Sequence, residues 1–266
     1  LIIENIIRNY NTNQSGIVDQ DFYKLANNIE TKSVFNILLN KKSNFFLNKF
    51  LPRSKLFPNF NENWIALDGN FDSPLVELNG ITLTKDSIPS KLGVFKNLKP
   101  GKIEASKLIP KSFNSFLTFS IENIPQFADQ IRLYSKYYNK ALKHEALKKF
   151  SSIDELSILD HQEGKAIIIH KSNSNESLVQ NLTPEKSYRN ISYGKIDENL
   201  EALNTILDLF ELEFEANFYS SIKDFFILSS QESLIKTIIG SYKDLKTIDN
   251  SKNFKSLSKN LSNLHS

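Results

Sequence analysis

The chain has 266 residues, 40% of them hydrophobic and 24% charged, with a net charge of +3. That balance allows one large globular domain or two small ones, and the charge is too small to argue for a nucleic-acid partner. The absence of Cys excludes disulfides and thiolate chemistry, and no run of about 18 apolar residues offers a membrane span.

The first predicted elements are two helical blocks. Ile3, Ile6, Ile7 and Tyr10 fall at helical spacing, as do Phe22, Leu25 and Ile29. "SVFNILLN" (33–40) reads as a strand, 41–51 as a short helix closed by Pro52, and Pro52 to Asn63 as a loop. A strand over 63–71 carries Trp64, expected in the core rather than as a stacking residue, and Asp68-Gly69, which suits a turn or bulge. "PLVELNGITLT" (74–84) sets Asn79-Gly80 between two alternating runs, the pattern of a hairpin with a two-residue type I′ turn. That turn places Leu78 opposite Ile81 and Val76 opposite Leu83 on one face.

"NSFLTFSI" (114–121) is another strand. A long helix over about 124–149 follows, with Phe127, Ile131, Tyr134, Tyr138 and Leu142 on one side. "KAIIIHK" (165–171) reads as a central strand, and 187–196 as one more. A helix over 197–210 has Asp197 as its N-cap. In "FEANFYSSIKDFFILSS" (214–230) a half-buried alternating strand precedes a short apolar one, and Ser229 or Ser230 caps a helix opening at Gln231. Irregular alternation with hairpin pairings predicts an α+β fold, antiparallel sheets packed with helices, rather than a doubly wound one.

The two ends of the chain match each other. Aligned without gaps at an offset of 232, residues 2–29 and 234–261 share Ile3/Ile235, Ile6/Ile238, Ile7/Ile239, Tyr10/Tyr242, Phe22/Phe254, Leu25/Leu257 and Asn28/Asn260. Chance supplies about two identities in that length. The expectation is a tandem repeat with a period of about 232 residues. Residues 1–30 then close one copy and open the next, 31–232 form the body of a unit, and 233–266 begin a further, truncated copy. A chain that starts at Leu1 and contains no Met is expected to be a piece of a longer protein.

The run from Trp64 to Tyr134 carries a resemblance. "NWIALDGNFDSPLVELNGITLT" and "KPGKIEASKLIPKSFNSFLTFSIENIPQF" are similar to an uncharacterised family of bacterial cell-envelope proteins, in which a Trp-x-x-Leu-Asp segment precedes a Leu-Asn-Gly hairpin and an Ile-Pro or Leu-Pro step into a strand. "FFILSSQESLIKTII" and "LSKNL" resemble it too. The resemblance implies tandem α+β units, an exported location and an export signal beyond this chain, and it transfers no catalytic site.

Catalytic patterns are sparse. His144 in "KHEAL" (143–147) lacks the second His of a zincin helix, and no Gly-x-Ser-x-Gly or phosphate-binding Gly-rich loop is present. "LDHQEG" (159–164) gathers Asp160, His161 and Glu163, expected in a solvated turn. Lys136, Lys140 and Lys143, with Lys148 and Lys149 beyond, form a basic stripe expected as a solvated helix face. The leading expectation is a non-catalytic envelope binding or scaffold protein, with no catalytic, cofactor or metal residues assigned. One alternative is a hydrolase using Asp68, Asp160 or Glu163 with His161. Another is binding of anionic lipid or nucleic acid through the 136–149 lysines.

Overall fold

The computed structural model describes residues 20–29, 32–40, 64–72, 75–83, 87–150, 153–171, 184–196 and 200–262, with 4, 7, 8, 11 and 12 besides. The expected helix at 41–51, the loop after it and the Asp197 cap lie outside the described residues. The chain forms two compact units: Leu1–Pro52 with Phe60–Leu92, and Arg53–Asn59 with Gly93–Ser266.

The first unit holds helix α1 (Gln20–Ala26) and strands β1 (Phe35–Asn40), β2 (Trp64–Asp72) and β3 (Leu75–Leu83) in an antiparallel sheet of order β1-β2-β3. α1 packs on this sheet, with Leu25 buried and the Phe22 ring 5.3 Å from that of Trp64, which is half-buried. The expected Asn79-Gly80 hairpin is not formed. β3 runs straight through it, pairing Asn79 with Asp68 and Gly80 with Leu67, and Asp68-Gly69 likewise lies inside β2. Val76 and Leu78 therefore share a face with Phe71, while Ile81 and Leu83 take the other.

The physical reason is that both glycines serve as floor space rather than as turns. The Phe35 ring lies over Gly69, and Leu67 Cδ2 lies over Gly80, each where a Cβ would otherwise stand. Covering a strand glycine with a neighbouring strand's large side chain keeps the ladder continuous. The register Asp72↔Leu75 leaves 73–74 as the connection, outside the described residues.

The second unit is built on a seven-stranded antiparallel sheet. Its strands are β4 (Ser115–Ser120), β5 (Ile153–His161), β6 (Gly164–Lys171), β7 (Lys186–Tyr188), β8 (Ile191–Lys195), β9 (Phe218–Ile222) and β10 (Phe225–Ser229), in the order β4-β5-β6-β10-β9-β8-β7. Central strands covered on both faces read as unbroken apolar runs, and β6 and β10 do. Ile167, Ile169, Phe226 and Leu228 face one core with helices α2 (Ile124–Tyr138) and α3 (Glu201–Phe210). Ala166, Ile168, Phe225 and Ile227 face a second core with Leu234, Ile235, Ile238 and Ile239 of α4 (Glu232–Lys243). Phe254 of α5 (Lys252–Ser262) packs on that second core. The α+β class is thus observed.

Four sequence expectations change here. The long helix stops at Tyr138, where Asn139 takes a left-handed conformation (φ 50°) and its N–H caps the Ser135 carbonyl; the chain resumes as a 3₁₀ segment, His144–Phe150. Asn tolerates that conformation better than most residues. The 187–196 strand is a hairpin, because Arg189 and Asn190 both have positive φ, as a type I′ turn needs. Residues 212–217 stand outside β9, although burial over 212–215 alternates as a strand's does. At α4 the cap is Gln231, with the Ser229 hydroxyl accepting from the Gln231 N–H at 3.2 Å.

Candidate functional site

Asp68, placed at a turn by its sequence, is a buried mid-strand residue of the first unit. It accepts a hydrogen bond from Asn36 Nδ2 at 2.6 Å across the sheet. Asp160, His161 and Glu163 lie in the second unit. Strand alternation puts Asp160 on the opposite face of β5 from His161, and Asn114 Nδ2 donates to it at 3.4 Å.

His161 and Glu163 do meet, around a serine that no local motif marks. Ser112 Oγ is 2.9 Å from His161 Nε2, and Glu163 Oε2 is 4.0 Å from Nδ1. The outline is that of a Ser-His-acid triad, but the proton sits on the wrong side. Nδ1 accepts the backbone N–H of Glu163 at 3.2 Å, so in neutral imidazole the proton is on Nε2 and is donated to Ser112. A nucleophile needs the reverse, a base lone pair at Nε2 and an acid accepting from Nδ1–H. The Glu163 carboxylate is engaged elsewhere, accepting from Thr237 Oγ1 of α4 at 2.7 Å. The cluster ties the β5–β6 turn to α4. Only His161 and Glu163 were marked by composition; Ser112 and Thr237 arrive from 49 and 74 residues away.

A second polar cluster surrounds Glu155 on β5, which is 2% exposed. Its carboxylate accepts from the backbone N–H groups of Glu104 (2.7 Å) and Ala105 (3.1 Å) and from Ser157 Oγ (2.9 Å). Burial pushes this carboxyl above its ordinary value of 4.5, and the bonds from Ser157, Glu104 and Ala105 pull it back. Every bond runs to the protein itself, so the group holds the 104–105 loop against the sheet. Among the described residues no three His, Asp or Glu side chains stand close enough to share a metal ion.

The expected lysine stripe is dispersed by the break at Asn139. Lys140 pairs with Glu211 at 3.5 Å, Lys143 with Glu201 at 2.6 Å, and Lys148 with Glu145. Lys136 remains on α2, and the Lys149 side chain lies outside the described residues. Carboxylates within reach of most members cancel the field that would attract an anionic surface.

A concave feature lies elsewhere in the second unit. A cleft of about 620 Å³ opens between α3, the 212–215 segment and the start of β6. Leu207 and Leu212 are buried along its floor, and Phe214 is half-buried beside them. Asp208, Glu213 and Glu215 stand exposed around it. The cation in its lining, Lys165, donates from Nζ to the Glu213 carbonyl at 3.0 Å. An apolar floor under a few convergent polar groups is the general form of a binding site. Comparison with family models, curated proteins and solved structures finds no match for this chain. No helix among the described residues is long and apolar enough to cross a membrane.

Proposed function

We propose that the protein is a non-catalytic binding or scaffold unit of the bacterial cell envelope, repeated in tandem, and that the cleft beside α3 is its ligand site. The observation that carries this reading is the contrast between the two candidate centres. The cleft is concave and acidic, whereas the cluster with triad-like residues has its protons arranged for structural bonding. The envelope setting rests on the resemblance of the Trp64–Tyr134 run.

The tandem arrangement rests on the terminal match, and two details support it. α1 opens at Gln20 and α5 at Lys252, 232 residues apart, and each carries its matched Phe half-buried against another aromatic ring, Phe22 on Trp64 and Phe254 on Phe116. Leu25 is buried and Leu257 half-buried. Burial at the other matched block differs: Ile7 is 55% exposed and Ile239 is fully buried. Ile3, Ile6, Tyr10 and the side chain of Leu261 lie outside the described residues.

The rival reading is a hydrolase built on Ser112, His161 and Glu163. A fluorophosphonate probe decides between them. The proposal expects no labelling of Ser112 and an Nε2–H imidazole at His161 by ¹⁵N NMR. Labelling that disappears in His161→Ala establishes the hydrolase instead.

A further inference from the structure

The acidic rim invites two kinds of ligand, a metal ion or an organic cation. The lack of any close three-carboxylate group among the described residues argues against the metal, since a hard cation needs oxygens converging within about 2.6 Å of one point. What the cleft offers instead is charge spread along a line. Glu213 and Glu215 are two residues apart, which is the same-face repeat of an extended chain. Exposure follows that repeat: Leu212 buried, Glu213 exposed, Phe214 half-buried, Glu215 exposed. Asp208 adds a third carboxylate from α3, and none of the three enters an ion pair among the described residues.

The main chain of the same segment is a second, independent feature. Residue 217 is tied in, with the Asn217 N–H on Ser229 O at 3.0 Å and Asn217 O accepting from the Ile196 N–H at 3.1 Å. Leu212 N–H is spent on Leu207 O at 2.9 Å. Between them, 213–216 make no hydrogen bond to another main chain among the described residues. Apart from the Glu213 carbonyl, which accepts from Lys165 Nζ, the run is strand-like with main-chain groups open among the described residues, a template for strand addition.

We propose that the cleft binds an extended peptide segment carrying lysine or arginine, which pairs its backbone with 213–216 and sets its cations against Glu213, Glu215 and Asp208. This rests on the binding reading above and names the partner's chemistry. Backbone pairing gives register without sequence demand. The carboxylates select basic side chains at alternate positions, and the Leu207–Leu212 floor accepts an aliphatic residue between them. Lys165 is a built-in opposing charge, so it limits affinity.

Fluorescence anisotropy with a labelled heptapeptide of alternating lysine and valine tests this on the full chain, with a glutamate–valine peptide as control. The lysine peptide is expected to bind saturably and to weaken about tenfold in the double variant Glu213→Gln/Glu215→Gln and again in raised salt. Lys165→Gln is expected to bind severalfold tighter. Circular dichroism checks that the exposed substitutions leave the fold intact. Absence of saturable binding, equal binding of the glutamate peptide, or affinity unchanged in the double variant each overturns the proposal. A calcium titration that protects the chain from heat and is abolished in the same double variant overturns it in favour of a metal site. Any of these results leaves the test at Ser112 unaffected.

Discussion

Glu155 is the position where the fold's polar interior can be tested most sharply. Replacing it with alanine strips acceptors from four donors, the N–H groups of Glu104 and Ala105 and the hydroxyls of Ser157 and Thr118, of which Ala105 and Ser157 are fully buried. A buried donor left unsatisfied costs about 1–3 kcal/mol. Two such donors, with Ser157 able to turn toward Thr118 Oγ1, set the expected loss from Glu155→Ala at about 2–5 kcal/mol. For a chain of this size that is a fall in Tm of roughly 4–20 °C.

Glu155→Gln keeps an acceptor oxygen and removes the charge that burial disfavours, so it should cost much less than the alanine variant. The pH dependence has a definite sign. A carboxyl raised above its unfolded value holds its proton longer in the folded state. Its contribution is therefore fully present below pH 4.5 and is lost as pH rises through the folded value. Chemical denaturation of wild type and Glu155→Gln at pH 4 and pH 7 should show the variant gaining on wild type at the higher pH. A loss below about 1 kcal/mol in Glu155→Ala, or a Glu155→Gln variant that gains at the lower pH, would refute the role of Glu155 in holding the 104–105 loop to the sheet.

Two further outcomes are expected. Leu245 sits 68% exposed at the left-handed position closing α4 (φ 57°), with the Lys246 N–H on the Ser241 carbonyl at 2.8 Å. Glycine is the favoured residue there, so Leu245→Gly should stabilise by about 1 kcal/mol in urea melts, whereas most Leu→Gly changes destabilise. Glu232, in the first turn of α4, accepts from Lys236 (3.0 Å), Lys186 (3.1 Å) and the Tyr193 hydroxyl (2.9 Å) and is pulled down to about 2. A depressed carboxyl stabilises above its unfolded value of 4.5 and loses that contribution as pH falls toward 2. Glu232→Gln should thus narrow the gap between stability at pH 6 and at pH 2.5, as read by acid denaturation curves.

Strand existence was largely legible because it is written in local alternation and in the twin apolar runs at Ile167–Ile169 and Phe225–Leu228. Turn position was not. Asn79-Gly80 carries the strongest hairpin chemistry in the chain yet lies mid-strand, because Leu67 and Phe35 fill the spaces over Gly80 and Gly69, and that cover comes from other strands. The Arg189-Asn190 turn was missed for the converse reason, since neither residue advertises positive φ as glycine does. The polar clusters were half legible. His161 and Glu163 lie two residues apart in sequence, but the proton polarity that makes them structural depends on one backbone N–H, which no spacing encodes. The cleft was the least legible, since its lining comes from three separated segments and its alternating glutamates read equally well as the outer face of a strand.

The most direct test of the account is where a basic peptide lands. ¹H–¹⁵N spectra of the labelled chain titrated with the lysine–valine heptapeptide should shift amides of 204–215 and of Gly164 and Lys165, and amide exchange at 213–216 should slow as new backbone bonds form. Shifts confined to α2 or to the β1-β2-β3 sheet, with 213–216 exchanging as before, would contradict it.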